Sequence, residues 1–277
     1  MTQTIQKYKI TAQDKETFDR DGYWISPKLI SDEQIERLRQ AHQRIWTNDF
    51  DGDGMPMRPF GSSNPEALRK VDNGWWFNDE IRATVTDPYI GELSADLLGV
   101  DETLLWHDQV IYKPGVGEKE TNSGNVGWHQ DFGYWQCSST TNMVTVWIAL
   151  QDTDLTNGGM TTILGSHKWG LVPGSDSFFN QNMEELKEKY AGGRDWVEEP
   201  CILKAGQASF HHALTFHGSG ANRTNEARLS IVAHVMPGGT AYRPGIQFHP
   251  NIKQLGPRPY AGQRFEGEFF PVLFKRL

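Results

Sequence analysis

Cysteine is scarce in this 277-residue chain: only Cys137 and Cys201 occur, too few for a disulfide framework and not spaced as a zinc motif. A reducing cytoplasm suits them. No apolar run approaches the length that spans a bilayer, and Met1-Thr2-Gln3-Thr4-Ile5 lacks the apolar block of a signal peptide, so the chain reads as soluble and intracellular. Runs of lysine or arginine are missing too. With a net charge of −8 the sequence offers phosphate no track, which argues against nucleic acid and membrane partners. Neither a repeat nor a low-complexity linker divides it, and the length fits an all-β unit with helical decoration. One domain over residues 1–277 is expected, with helical support over about 11–100 and a β core over about 104–250.

Aromatics, by contrast, are plentiful. Of ten tryptophans, Trp75, Trp76, Trp106, Trp128 and Trp135 fall in the middle of the chain, where such residues more often pack a core than touch a ligand. Thr11 to Arg20 reads as a short helix and Gly22 to Ile25 as a strand. Ser31, with Gln34 three residues on, forms an expected capping box for a second helix whose stripe is Ile35, Leu38, Ile45 and Trp46. Residues 48–65 read as an irregular connection. Its Asp49, Asp51 and Asp53 lack the glutamate that a calcium loop needs at its twelfth position. Pro88 to Leu98 is a helix closed by Gly99. Leu104 to Lys113 alternates like a strand, with His107, Gln109 and Ile111 on one face.

Met143 to Leu150 is apolar and β-rich, as a strand buried on both faces would be. Asn157-Gly158-Gly159 marks a tight turn before Met160 to Leu164, and Phe178 to Tyr190 reads as helical. Ala208 to His211 and Leu229 to Val235 are expected strands, with His217 in the connection between them. A β-barrel or jelly roll with helices outside fits this order.

The chemistry centres on Gly127-Trp128-His129-Gln130-Asp131-Phe132. At a strand end the period of two sends His129 and Asp131 to one face, two thirds of a metal site. A distant histidine completes it, because two histidines and a carboxylate hold one face of octahedral iron(II) and leave three positions open. His217, in Thr215-Phe216-His217-Gly218-Ser219-Gly220, is the candidate. His211 and His212 are adjacent and precede that turn; His167 is expected to order its loop, while His42, His234 and His249 read as structural or exposed. Arg228 begins the following strand and offers a planar two-toothed partner to a carboxylate. A 2-oxo acid fits the arrangement: ketone and near carboxylate on iron, far carboxylate on Arg228, with Ser219 adding a hydroxyl.

His129-Gln130-Asp131, Trp147, Asn157-Gly158-Gly159, Leu164-Gly165-Ser166-His167 and His217-Gly218-Ser219-Gly220 with Arg228 together resemble the phytanoyl-CoA dioxygenase family, over about Asp14 to Pro237. The resemblance implies a double-stranded β-helix that uses iron(II), 2-oxoglutarate and O2. It makes His129, Asp131 and His217 the iron ligands, Arg228 and Ser219 the anchors of the distal carboxylate, and Trp147, Gln109 and Lys70 further contacts to the cosubstrate. Hydroxylation of an aliphatic C–H in a small metabolite is expected, with release of succinate and CO2. Relatives that halogenate carry a small residue where Asp131 stands, which disfavours that outcome. Desaturation, cyclisation and epimerisation use the same cofactors; a non-catalytic iron or 2-oxoglutarate sensor, or a cupin-like metal enzyme without an oxo acid, are the rivals. Phe132, Tyr134 and Trp135 are candidate substrate walls, with Trp76, His107 and Arg243 beside them. An aromatic wall suits a lipid, a ring or an ammonium group. With no basic cluster to favour coenzyme A, a smaller metabolite is expected.

Overall fold

The computed structural model describes residues 6–51, 67–118 and 122–277. Thr11 and Asp14 cap each other reciprocally at the start of α1 (Ala12–Asp21), and Gly22 closes the helix at φ +82°, a conformation glycine adopts without a Cβ clash. β1 (Tyr23–Ile25) follows. At α2 (Asp32–Trp46) the Ser31 hydroxyl accepts from the Gln34 N–H at 3.2 Å. That bond is one-sided, so the reciprocal box belongs to Thr11 and not, as expected, to Ser31. The connection after α2 lies mostly outside the described residues, Asp53 included; Asp49 and Asp51 are engaged by Arg44 at 2.8 and 2.6 Å.

Two elements went unanticipated here, β2 (Arg69–Asp72) and α3 (Asp79–Val85), both too short to show a period. α4 (Pro88–Leu98) ends at Gly99 with φ +67°, as its sequence indicates. Next come β3 (Glu102–Lys113), β4 (Val126–His129), β5 (Val144–Ala149) and β6 (Thr161–Ile163). α5 (Met183–Ala191) starts later than expected because Asn182 caps it, its side chain accepting from Glu185, while the Phe178 carbonyl accepts from Gly127 at 3.0 Å. β7 (Glu198–Pro200), β8 (Ala208–His212), β9 (His217–Ser219), β10 (Arg228–Pro237) and β11 (Val272–Lys275) complete the chain. His217 therefore lies on a strand rather than in a connection.

The strands form two antiparallel sheets, a jelly-roll arrangement. The major sheet runs β1-β8-β5-β10-β3-β11, with β2 also on β3; the minor one runs β4-β9-β6-β7. In the major sheet the period of two divides two buried faces. Val110, Val146, Ile148, Phe210, Ile231 and Ala233 turn outward into a core shared with Leu38, Ile81 and Leu93 of the helices. Their neighbours Gln109, Ile111, Trp147, Val232 and His234 turn inward, facing the minor sheet across a cavity. Polar side chains on an inward face need partners, and those partners make the site.

Candidate metal centre

The minor sheet sets the two imidazoles. β4 pairs antiparallel with β9 so that His129 stands opposite His217, with ring centroids 4.2 Å apart. His129 Nδ1 faces its own Gly127 carbonyl at 2.8 Å and His217 Nδ1 faces Thr215 O at 3.0 Å. A carbonyl accepts only, so the proton sits on each Nδ1 and the Nε2 lone pair is free for a metal. Burial, then the neighbouring His129, holds His217 well below the ordinary histidine range, which keeps that ring neutral.

Asp131 does not continue β4 but opens a tight 3-10 turn over Asp131–Tyr134. Gln130 fixes the bend: wholly buried, its side chain donates to Gly170 O and Leu214 O and accepts from Val172 N. Asp131 Oδ1 then lies 3.5 Å from His129 Nε2 and 3.7 Å from His217 Nε2. One donor atom from each of the three falls within 4.8 Å of the others. The opposite oxygen, Oδ2, accepts from the Thr145 hydroxyl at 2.5 Å and lies 3.3 Å from His211 Nε2. Burial alone would raise this carboxyl, but His217, His129 and His211 hold it well below its usual range, so it is ionised. Thr145 Oγ1 in turn meets His234 Nδ1 at 2.9 Å. One oxygen is held and the other left free, as a metal-binding carboxylate requires.

The same cavity holds Arg228, 3% exposed, its guanidinium 4.8 Å from the Trp147 ring and its Nε without a hydrogen-bond partner among the described residues. Burial lowers its pKa to about 10, leaving it charged at neutral pH. Ser219, Trp147 and Gln109 line this cavity together with the three metal donors. A buried guanidinium with a free Nε–H, lining the same cavity as a three-donor face, fits a bidentate oxo acid whose far end is a carboxylate.

A second cavity opens on the other side of His129 and Asp131. Tyr134, Trp135 and His107 line it, as do Lys70, Asp72, Gln247, His249 and the rings of Phe178, Phe179 and Phe248. Lys70 Nζ lies 3.2 Å from Asp72 and away from the Arg228 cavity. His107 is 1% exposed with Nε2 unpartnered, its ring 4.3 Å from His234 and 4.9 Å from His249. Three of the expected wall residues are not brought here. Phe132 packs in a hydrophobic cluster with Trp106, Trp76 is buried in the main core, and Arg243 is exposed. Sequence reasoning missed His211, His234, His249, Thr145, Asp72 and Phe178. His211 is the inward member of its pair, and His234 and His249 are both buried rather than exposed; for His211 and His234 the period-two phase of β8 and β10 was the available signal.

A family model described as phytanoyl-CoA dioxygenase matches residues 18–230. The peroxisomal phytanoyl-CoA dioxygenase of Rattus norvegicus is 23% identical, covering 83% of this chain and 70% of the relative. The ectoine dioxygenase of Bordetella bronchiseptica is 24% identical over 80% and 74%. Among solved structures, the epimerase SnoN in complex with Fe3+, alpha ketoglutarate and nogalamycin RO is 27% identical with a TM-score of 0.72, covering 94% of this chain and 97% of that one. EctD from S. alaskensis with 2-oxoglutarate and 5-hydroxyectoine shares the fold at 20% identity and a TM-score of 0.67, over 97% and 87%. The chain belongs to the phytanoyl-CoA dioxygenase family and is, with its relatives, a 2-oxoglutarate-dependent non-haem iron oxygenase.

Proposed function

We propose that the enzyme hydroxylates an aliphatic carbon of a small metabolite, with His129, Asp131 and His217 holding iron(II) and Arg228 with Ser219 clasping the distal carboxylate of 2-oxoglutarate. The observation that carries this reading is the buried Arg228, whose Nε has no hydrogen-bond partner among the described residues, in the cavity that the three metal donors line. When bound there, iron and 2-oxoglutarate supply the O2 chemistry that yields succinate, carbon dioxide and an oxidised C–H bond. Trp147 walls the oxo acid and stacks on Arg228, and Gln109, which lines both cavities, separates cosubstrate from substrate. Thr145 and His211 keep Asp131 turned to the metal. Asp131 fills the position that a halide would need, so oxygen transfer is favoured.

The second cavity takes the substrate. Phe179 and Phe248 are 67% and 65% exposed at its edge, while His107 and Asp72 lie within, so an apolar ring bearing a hydroxyl or amine suits it. Among the described lining residues Lys70 is the one lysine or arginine, and Asp72 neutralises it; a coenzyme A phosphate finds little hold. We place Lys70 on this substrate side. The likeness to an epimerase favours a second reading, in which the same cofactors invert a carbon or close a ring without adding oxygen. We read the whole chain as one catalytic unit, and the two buried free thiols suit the cytoplasm. No helix of the described residues is long and apolar enough to cross a membrane.

Anaerobic titration with iron(II) and 2-oxoglutarate tests the site: a weak visible charge-transfer band is expected, and Arg228→Ala should abolish it at the same cosubstrate concentration. An intact protein without the band refutes the assignment. With a turned-over substrate, 18O from 18O2 in the product marks hydroxylation, whereas solvent hydrogen and no label marks epimerisation.

A further inference from the structure

Lys113, the last residue of β3, is 0% exposed. Its Nζ donates to Ser219 Oγ at 2.5 Å, Gly220 O at 2.5 Å, Gly158 O at 3.3 Å and Ser219 O at 3.5 Å. All four acceptors are neutral oxygens. A buried ammonium loses most of its hydration, and neutral acceptors return only part of what that costs. The register of β3 on β10 sets Lys113 directly opposite Arg228, so the two cations stand side by side on the inward face. Burial, and then the field of Arg228, push the lysine well below its ordinary range. Two buried basic groups thus stand next to each other, and among the described residues neither is in an ion pair with a carboxylate.

The surrounding chain is shaped to keep this lysine in place. Gly158 sits at φ +72°, and a Cβ there would come within 2.9 Å of Lys113 Cδ. The Asn157-Gly158-Gly159 turn thus also walls the channel of the lysine stem. Asn222 caps the strand end by donating to Lys113 O at 3.4 Å.

We propose that Lys113 is a positioning residue for the distal carboxylate of the 2-oxo acid: it orients the Ser219 hydroxyl toward that carboxylate and, with Arg228, makes the pocket select a dicarboxylate. A carboxylate in the shared cavity favours the charged lysine, and an ammonium has protons and no lone pair, so Ser219 Oγ accepts from Lys113 and its own proton turns away. It turns into the cavity that Ser219 and Arg228 both line. There the carboxylate accepts from the hydroxyl and the guanidinium while its charge offsets the second cation. The inference rests on the assignment of Arg228 and Ser219 above.

Calorimetry on zinc-loaded protein, which binds without turnover, tests it with 2-oxoglutarate and with 2-oxobutyrate, which keeps the metal-binding head and lacks the distal carboxylate. Lys113→Met is expected to weaken 2-oxoglutarate about 20-fold while 2-oxobutyrate changes less than about threefold. Ser219→Ala should cost about fivefold alone and nothing further in the Lys113→Met background, since the hydroxyl there is no longer aimed. If Lys113→Met does not fold, Lys113→Gln and Ser219→Ala carry the same contrast. Unchanged 2-oxoglutarate affinity in the lysine variants, equal weakening of both acids, or additive losses in the double variant would overturn the proposal. Wild-type protein that fails to bind 2-oxoglutarate, or an Arg228→Ala variant that binds it normally, would instead overturn the site assignment itself.

Discussion

Thr145 shows how much one hydroxyl can govern. It donates to Asp131 Oδ2 and accepts from His234 Nδ1, so it fixes both the rotation of the carboxylate and the tautomer of the histidine. Thr145→Val keeps the shape and leaves Oδ2 with His211 alone. Iron affinity is expected to fall about 10- to 100-fold with little change in unfolding temperature, read by competition with a chelator. Unaltered affinity would show that packing alone orients Asp131. The residue scale is also where the sequence was most and least legible. His129, Asp131, His217 and Arg228 stood out because glycine-rich turns and a strand start set them off from their surroundings. Thr145, His211, His234 and Lys113 did not, because each occupies an ordinary position in an apolar strand. What distinguishes them is the residue opposite on the neighbouring strand, and register is a property of the pair.

Among the elements, α2 carries a titratable group in its packed stripe. His42, 1% exposed, places Nε2 3.0 Å from Ile111 O and accepts the Trp46 indole N–H at Nδ1, 2.9 Å away. Accepting at Nδ1 requires the neutral ring with its proton on Nε2, and burial lowers its pKa to about 4. The unfolded chain takes up a proton near pH 6.5, which the folded one resists down to about pH 4. Stability from this residue is therefore complete above about pH 6.5 and is lost as pH falls, by about 3 kcal/mol near pH 4. Urea unfolding should show His42→Gln, which cannot titrate, losing less stability than wild type between about pH 7 and pH 4.5. Equal losses would mean that the ring is not held neutral. The stripe that buries His42 was visible as helical periodicity, as was the Gly99 stop of α4. The short β2, α3 and β11 were not, since four to seven residues carry no period and only pairing or packing against β3 and its neighbours defines them.

At the scale of the molecule, the major and minor sheets share no strand ladder among the described residues. The site lies where they face each other. His129 and His217 come from the minor sheet, whereas Arg228 and the Thr145 that holds Asp131 come from the major one. A metal ion joined to an oxo acid that reaches Arg228 therefore ties one sheet to the other, and ligand binding becomes folding stability. At a hundredfold excess over Kd each ligand contributes about 2.7 kcal/mol, which for a chain of this size raises the unfolding temperature by about 5–10 °C. Scanning calorimetry with zinc should give one increment, and adding 2-oxoglutarate a second that needs the metal. Arg228→Ala should keep the first increment and lose the second, Asp131→Ala should lose both, and a chelator should return wild type to the metal-free value. An unfolding temperature indifferent to zinc would mean that the three donors do not close on an ion, and that the two sheets are held together by their hydrophobic clusters alone.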